Sequence, residues 1–426
     1  MRVAVCTNFN GWSRTYSLAS VALDQLEMLV RGGYKPVCLV QKGCVNPPEY
    51  KDTVEFRELP SVQLSNSGEL NSHWQEDVGK LTAVLREVLH DVNICITHDW
   101  AYQPAALVYN LSARELSMER PGIRWLNFIH SATSTEIICN SEEVRGKIRT
   151  RFPNSYICYP NTGDRARVAK NFQYDEKDVK WVPHPIDLYS FHGFDPLSRE
   201  FADKYNLLSS DINMVYGVRL DRGKQVQHNI SLMAALKRMG KSVRLIVADF
   251  HSTGGDKNVY RKELREKASR EGLSELEVIF TSEFKPSTNV EVPRSFVRNM
   301  LMLSNVFMLA SVSETYSLVT AEAAVCGNLV LLNYDFPIMR SIYHEDPYYY
   351  KFSSNIDAMS GENGNTVTKY DNPDSYFHAM ASAVIGELQH NRVLHLRDFI
   401  RKERNLDFVF KNYLEPLFFI QEKKGE

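Results

Sequence analysis

The sequence predicts an α/β protein built from two Rossmann-like domains, each with a parallel sheet. Three observations carry the prediction. Hydrophobic periodicity switches repeatedly between strand and helix, the switching falls into two separate series, and the proline-stiffened link Val182-Pro-His-Pro-Ile-Asp187 lies between them.

The first series opens with a buried-strand run at residues 2–8. A helix follows over Ser17–Arg31, with Leu18, Val21, Ala22, Leu26, Leu29 and Val30 on one face and Gly32-Gly33 to stop it, and residues 35–40 form the next strand. That is a βαβ unit. Further strands are expected at 92–97, 125–130 and 137–140, with helices at 77–89 and 142–151. The second series runs through a strand at 212–220, a helix at 225–239 closed by Gly240, a strand at 243–249 and a helix at 259–271. It continues with a strand at 277–281, a helix at 295–303 and strands at 305–310 and 329–333. Between the last two strands, residues 317–326 read as a helix whose apolar face is Leu318, Ala321 and Val325, ended by Gly327. The domains are therefore placed at 1–183 and 184–405. An amphipathic closing helix at about 406–420 is expected to pack back on the first domain, and 421–426 forms a charged tail.

Composition restricts the function classes. The chain has 426 residues, 43% apolar and 24% charged, and a net charge of −2, so no global field draws it to nucleic acid or an anionic membrane. Seven cysteines (6, 38, 44, 95, 139, 158 and 326) contain no C-x-x-C and mostly occupy strand-like runs, which suits reduced core residues in a cytoplasmic setting. The start Met1-Arg-Val-Ala-Val passes straight into a strand without a signal peptide, and no apolar run approaches the roughly 18 residues of a membrane span. No G-x-G-x-x-G follows the first strand, which argues against a nicotinamide dehydrogenase.

The candidate chemistry begins at Glu314 and Glu322, eight positions apart in Ser-Val-Ser-Glu314-Thr-Tyr-Ser-Leu-Val-Thr-Ala-Glu322. Strand, loop and helix put Glu314 in the loop and Glu322 on the helix, where the two carboxylates grip different parts of an extended ligand. Backbone N–H groups of the first turn, near Thr315, Tyr316, Ser317 and Leu318, are ready to hold an anion beside Glu314. Such a pocket suits a sugar carried on a diphosphate. About ninety residues earlier, Gly217-Val-Arg219-Leu-Asp-Arg-Gly-Lys224 follows the first strand of the second series.

Together these motifs resemble the retaining GT-B glycosyltransferases of the large sucrose-synthase and mannosyltransferase type. The resemblance implies two Rossmann-like domains facing across a cleft and a nucleotide-sugar donor. It implies that Arg219 and Lys224 contact the diphosphate, Glu314 the sugar hydroxyls and Glu322 the ribose, and that neither metal nor cofactor is needed. It further implies that Gly11, in the loop after the first strand, approaches the donor phosphate, and that His130, at a strand end, lies close to the transferred sugar. His98 and Asp99 end the preceding strand and face the acceptor; Asp99 either orients the incoming hydroxyl or caps the next helix. Three departures from the family pattern stand out. Tyr316-Ser317 replaces the usual Phe-Gly, Lys224 is preceded rather than followed by glycine, and residues 155–170 form an added stretch before the link.

The added stretch bears on the acceptor. Between Val144 and Phe172 lie Arg145, Lys147, Arg149, Arg151, Arg165, Arg167 and Lys170 against the single acidic Asp164. A phosphate-tracking surface there, with Arg165 and Arg167 on the acceptor side, fits modified DNA whose hydroxymethylated pyrimidine receives the sugar, as some phage-encoded glycosyltransferases do. The alternative is a lipid-linked or phosphate-bearing glycan at a membrane surface, and the lack of a basic amphipathic helix with exposed aromatics favours the soluble polymer. A solvated helix with no ligand, and a nucleotide-sugar epimerase on the same fold, stay open.

Overall fold

The computed structural model describes residues 1–62, 69–100, 103–130, 141–148, 150–151, 153–217, 219–249, 257–289, 291–311, 314–352, 370 and 372–420. The chain divides into two compact units. One comprises Met1–Asp187 with Arg404–Glu426, the other Leu188–Glu403.

The first unit holds β1 (Val3–Cys6), β2 (Val37–Gln41), β3 (Glu55–Leu59), β4 (Ile94–His98), β5 (Arg124–Phe128), β6 (Ser155–Tyr159) and β7 (Val179–Trp181). They form one sheet in the order β3-β2-β1-β4-β5-β6-β7, parallel throughout. The central strands are continuous apolar runs because both faces are covered. Ala4, Cys6, Val37, Leu39, Cys95 and Trp125 pack on one side, and Val3, Val5, Cys38, Val40, Ile96 and Leu126 on the other.

The second unit holds β8 (Ile212–Tyr216), β9 (Val243–Val247), β10 (Val278–Phe280), β11 (Val306–Leu309), β12 (Leu329–Asn333) and β13 (Tyr348–Tyr350). Its order, β10-β9-β8-β11-β12-β13, is again parallel throughout. Counted from its own first strand this is 3-2-1-4-5-6, the doubly wound order, and the first sheet has the same order with one strand more. Two parallel-sheet α/β units are thus the fold class expected from the sequence. Each sheet reverses direction at one place, between β1 and β4 or between β8 and β11, and such switch points open a crevice at the carboxyl ends of the strands.

Several elements differ from expectation. Residues 155–170 are no insertion: they supply β6, every residue of it buried, and most of the helix Arg165–Phe172. The turn signals Pro160, Asn161 and Gly163 mark the end of a strand rather than a loop-rich addition. In the helix Leu318–Val325 the buried residues are Val319, Thr320 and Ala323, while Leu318 and Val325 are exposed. The apolar face read from the sequence is therefore the outer one. Apolar or small residues on both sides of the helix made either face plausible, and only packing against β11 and β12 chooses. The closing segment is helical but not uniform: its α-helical turn Leu406–Val409 widens over Phe410–Leu414 and tightens over Glu415–Phe419. Pro416 has no N–H to donate back along the helix, which explains the change of winding. The segment packs within the first unit through Val409, Phe410 and Leu414, and Arg31 grips Asp407 through two bonds of 2.8 and 2.7 Å. A methyl at Gly32 would collide with the Phe410 ring. The expected strand at 137–140, Cys139, Arg149 and the tail 421–426 lie outside the described residues.

Candidate active site

In the second unit three of the expected donor residues, Arg219, Lys224 and Glu314, lie at the β8/β11 switch point. Gly217 ends β8 against two helices. A methyl there would stand 3.1 Å from Val297 Cγ1 and 3.4 Å from Val319 Cγ2, so the absence of a side chain lets the loop 217–224 lie close to the start of the helix Leu318–Val325. The loop ends in the short turn Arg222–Lys224, held by the Lys224 N–H on the Asp221 carbonyl at 3.0 Å. The Tyr216 hydroxyl donates to the Lys224 carbonyl, and the Ser311 hydroxyl reaches the Gly223 carbonyl at 3.5 Å. Both strands of the switch point thereby fix the turn.

That turn aims the Lys224 ammonium at Glu314, and the two form an ion pair. Their side chains are only 12% and 13% exposed, so little solvent screens the charge. Arg219 is open, 49% exposed, with its Nε 3.5 Å from the Asp221 carboxylate. Glu322 lies on the helix Leu318–Val325, away from this group, and pairs with Arg294 at 2.6 Å. The loop Thr315 and Tyr316 is exposed, and the Tyr343 hydroxyl donates to the Tyr316 and Ser317 carbonyls at 3.2 and 2.9 Å. The arrangement offers two cations and a helix start to an anion, and a carboxylate to hydroxyls.

Two departures from the family pattern find a physical reading here. Ser317 stands at φ 65 and Gln225 at φ 54, both left-handed backbone where glycine is the easy residue. They occupy the positions where the family has glycine after its aromatic residue and after its lysine. Ser317 compensates by bonding Thr320 at 2.8 Å, and the Gln225 amide oxygen meets His228 Nε2 at 2.5 Å.

In the first unit, Gly11 follows β1, His98 ends β4, and Asp99 and His130 follow β4 and β5, again around a switch point. A methyl at Gly11 would meet nothing within 4 Å. Asp99, at φ 60, donates its N–H to the Phe128 carbonyl at 3.0 Å. Its carboxylate accepts the His130 N–H at 3.1 Å and the Gln103 amide at 3.2 Å. Asp99 is 5% exposed, so it is a brace for the turn that carries His130 and not a carboxylate open to an acceptor.

His130 is not isolated either. Its Nε2 lies 3.0 Å from His98 Nδ1, and its Nδ1 lies 3.3 Å from His184 Nε2. His98 Nε2 in turn meets the amide oxygen of Gln25 at 3.0 Å. Burial holds all three imidazoles below the usual histidine range: His98 well below, His130 down to about 3, and His184 in the same direction. His184 and Gln25 were not among the expected site residues. The only sequence signal for His184 was its place between two prolines in the link. Those prolines extend the segment, while the Val182 N–H on Tyr159 and the Ile186 N–H on Arg404 pin it at 3.0 and 2.8 Å.

The basic stretch is largely occupied by protein partners. Arg165 donates to the Val179 and Glu176 carbonyls at 3.1 and 3.0 Å, Arg167 pairs with Asp164 at 2.9 Å, Arg151 pairs with Asp178, and Lys147 pairs with Glu143 at 2.7 Å. Arg165 therefore joins the helix Arg165–Phe172 to β7, and Arg167 forms a local ion pair at the helix start; among the described residues neither bonds to His98 or Asp99. Among the described residues no group of three or more His, Cys, Asp and Glu is arranged to hold a metal ion, and no helix is long and apolar enough to cross a membrane.

No family model matches the sequence. No curated protein matches it either. Solved structures do align over nearly the whole chain. A glycosyltransferase from Rickettsia africae is 11% identical, with 98% of this chain and 97% of that one covered and a TM-score of 0.35. Anabaena HepE in complex with UDP and glucose is 12% identical, with 99% and 100% covered and a TM-score of 0.37. A sucrose-phosphate synthase from Thermosynechococcus elongatus is 14% identical, with 98% and 96% covered and a TM-score of 0.32.

Proposed function

We propose that the protein is a retaining glycosyltransferase of the GT-B type that moves a sugar from a nucleoside-diphosphate sugar to a hydroxyl acceptor. The observation that carries this reading is the Lys224–Glu314 pair, with Arg219 beside it, at the switch point of the second sheet. A guanidinium and an ammonium next to a helix start stabilise the negative charge that grows on a departing diphosphate. Glu314 accepts from the sugar hydroxyls, and Glu322 takes the ribose. In the transfer the acceptor oxygen bonds to the anomeric carbon as the bond from that carbon to the phosphate oxygen breaks. The acceptor's proton passes to the leaving phosphate on the same face. No second catalytic carboxylate is then required.

For the acceptor, hydroxymethylated pyrimidine in DNA has weaker support than the donor chemistry. Of the basic stretch, Arg145 and Lys170 remain as exposed cations among the described residues, and four others have protein partners. The test is to incubate the protein with a panel of nucleotide sugars and, separately, with hydroxymethylated DNA, plain DNA and simple glycans. Release of nucleoside diphosphate with matching mass gain on one acceptor is expected. Release without any acceptor gaining mass, or epimerised sugar nucleotide as the product, overturns the transferase reading. Transfer to glycans but not to hydroxymethylated DNA removes the DNA acceptor.

A further inference from the structure

The three imidazoles of the first unit form a ribbon, and a ribbon has a direction. The ring centroids of His98 and His130 are 5.2 Å apart with 10° between planes, and those of His130 and His184 are 5.1 Å apart with 19°. Against nitrogen–nitrogen distances of 3.0 and 3.3 Å, these separations are longer by about the width of one ring. For His98 and His130 this makes the rings nearly coplanar and joined edge to edge through their nitrogens, while His184 meets His130 nitrogen to nitrogen on a bent line. Phe128 flanks His98 at 5.8 Å and 28° and keeps the first ring in this plane. Because the nitrogens bond one another, they do not converge on a common point.

A neutral imidazole has one N–H donor and one lone-pair acceptor. Two neighbours can bond only if a donor faces an acceptor, so fixing one end fixes every ring. Here the end is Gln25, on the helix Ser17–Arg31, 2% exposed, with its amide oxygen toward His98 Nε2. His98 must donate from Nε2, which leaves Nδ1 to accept from His130 Nε2–H. His130 then accepts at Nδ1 from His184 Nε2–H. Both ring nitrogens of His130 are thus occupied within the protein, so its ring offers a ligand neither a donor nor an acceptor. His184 Nδ1 is left as the accepting terminus. Burial decreases along the same direction, from His98 at 3% exposure to His130 and His184, both half-buried. Aligned hydrogen bonds polarise one another, so the lone pair at the end of the row accepts more strongly than that of a single histidine.

We propose that His184 Nδ1 is a ligand-binding acceptor for a sugar hydroxyl, and that Gln25, His98 and His130 are positioning residues that set its tautomer. The hydroxyl half of the proposal rests on the transferase reading; the tautomer half does not. Nitrogen-15 NMR of the full chain labelled at histidine reads tautomers directly. All three residues are expected as Nε2–H, and an Nδ1–H signal from any of them overturns the ribbon. Gln25→Met removes the amide acceptor at similar length and is expected to give mixed tautomers at His184; if His184 remains wholly Nε2–H, Gln25 does not set the direction. Should that variant fail to fold, His98→Phe, which keeps a ring against Phe128, tests the same link by the same readout.

For the ligand, uridine diphosphate glucose is titrated beside uridine diphosphate alone. The sugar nucleotide is expected to move the His184 Nδ1 resonance in the direction of a newly accepted hydrogen bond, and the bare nucleotide to leave it in place. A shift with both overturns the sugar-hydroxyl assignment. An unmoved resonance under conditions where transfer from that donor is measured removes the ligand role while the transferase reading stands. If no nucleotide sugar supports transfer, the transferase reading falls and takes the sugar hydroxyl with it.

Discussion

The candidate sites of the two units lie at the same place in the same strand order and are built from opposite materials. In the second unit the switch point carries formal charge: Lys224 with Glu314, and Arg219 beside Asp221. In the first it carries Gln25 and three histidines held neutral by burial, with one carboxylate, Asp99, turned inward as a brace. A charged diphosphate needs countercharge kept dry enough to act, whereas a sugar hydroxyl is neutral and needs donors and acceptors pointing the right way. In the proposed reading one strand order serves two ligand chemistries, because the crevice is topological and its lining is free to differ.

The largest expected effect tests the charged half. Lys224→Ala should lower transfer by about a hundred- to a thousand-fold, the usual cost of one lost donor to a developing negative charge, with the circular dichroism spectrum unchanged. Turnover near the wild-type rate would mean that the pair is structural and that the two candidate sites do not differ in the way described.

Next comes the geometry that holds the charges. Gly217→Ala should destabilise the protein by about 1–3 kcal/mol through its contacts with Val297 and Val319, read as a lower midpoint in urea. Val297→Ala in the same chain should recover much of the loss.

The neutral half has a pH signature. His130 falls to about 3 in the fold from an ordinary 6.5, so between those values the unfolded chain binds the proton and the folded chain does not. Its contribution is present above about 6.5 and is lost as pH falls towards 3. Asp24 runs the other way: burial pushes it up to about 7 from 3.8 even though Arg14 pulls it down. Its protonated form is favoured in the fold, so its contribution is present below about 3.8 and is lost as pH rises through 7. Denaturant midpoints measured across pH should show a shallower acid limb in His130→Gln and a smaller loss towards neutral pH in Asp24→Asn. Parallel curves for wild type and both variants would remove the neutral character assigned to this region.

The smallest effect concerns Ser317. Replacing it with glycine should raise stability by up to about 1 kcal/mol by relieving the left-handed backbone, seen as a small rise in melting temperature. A fall would show that the Ser317–Thr320 bond outweighs the strain.

Much of this was legible in the chain. The helix Ser17–Arg31 and the strand Leu329–Asn333 fall at the expected residues because periodicity and stop signals agree there. The loop position of Glu314 and the helical position of Glu322 follow from spacing alone. The inner face of Leu318–Val325 was not legible, since apolar residues lie on both sides of that helix and only its neighbours decide which is covered. The roles of Asp99, Arg165 and Arg167 were illegible for a related reason: a polar residue's type does not reveal whether its partner will be a ligand or a backbone carbonyl.

What the sequence determined by itself was local and periodic: two α/β series, the glycine that permits a close loop, the spacing of Arg219, Lys224, Glu314 and Glu322, and the prolines that extend the segment around His184. What only the tertiary structure decided was pairing between distant residues. Gln25, His98, His130 and His184 are separated by up to 159 positions in the chain and have no common motif. The histidines meet because a parallel sheet delivers the carboxyl end of every strand to the same edge, Gln25 joins them from the helix Ser17–Arg31, and hydrogen bonding between rings depends on distance and plane, quantities that exist only after the strands have found their order.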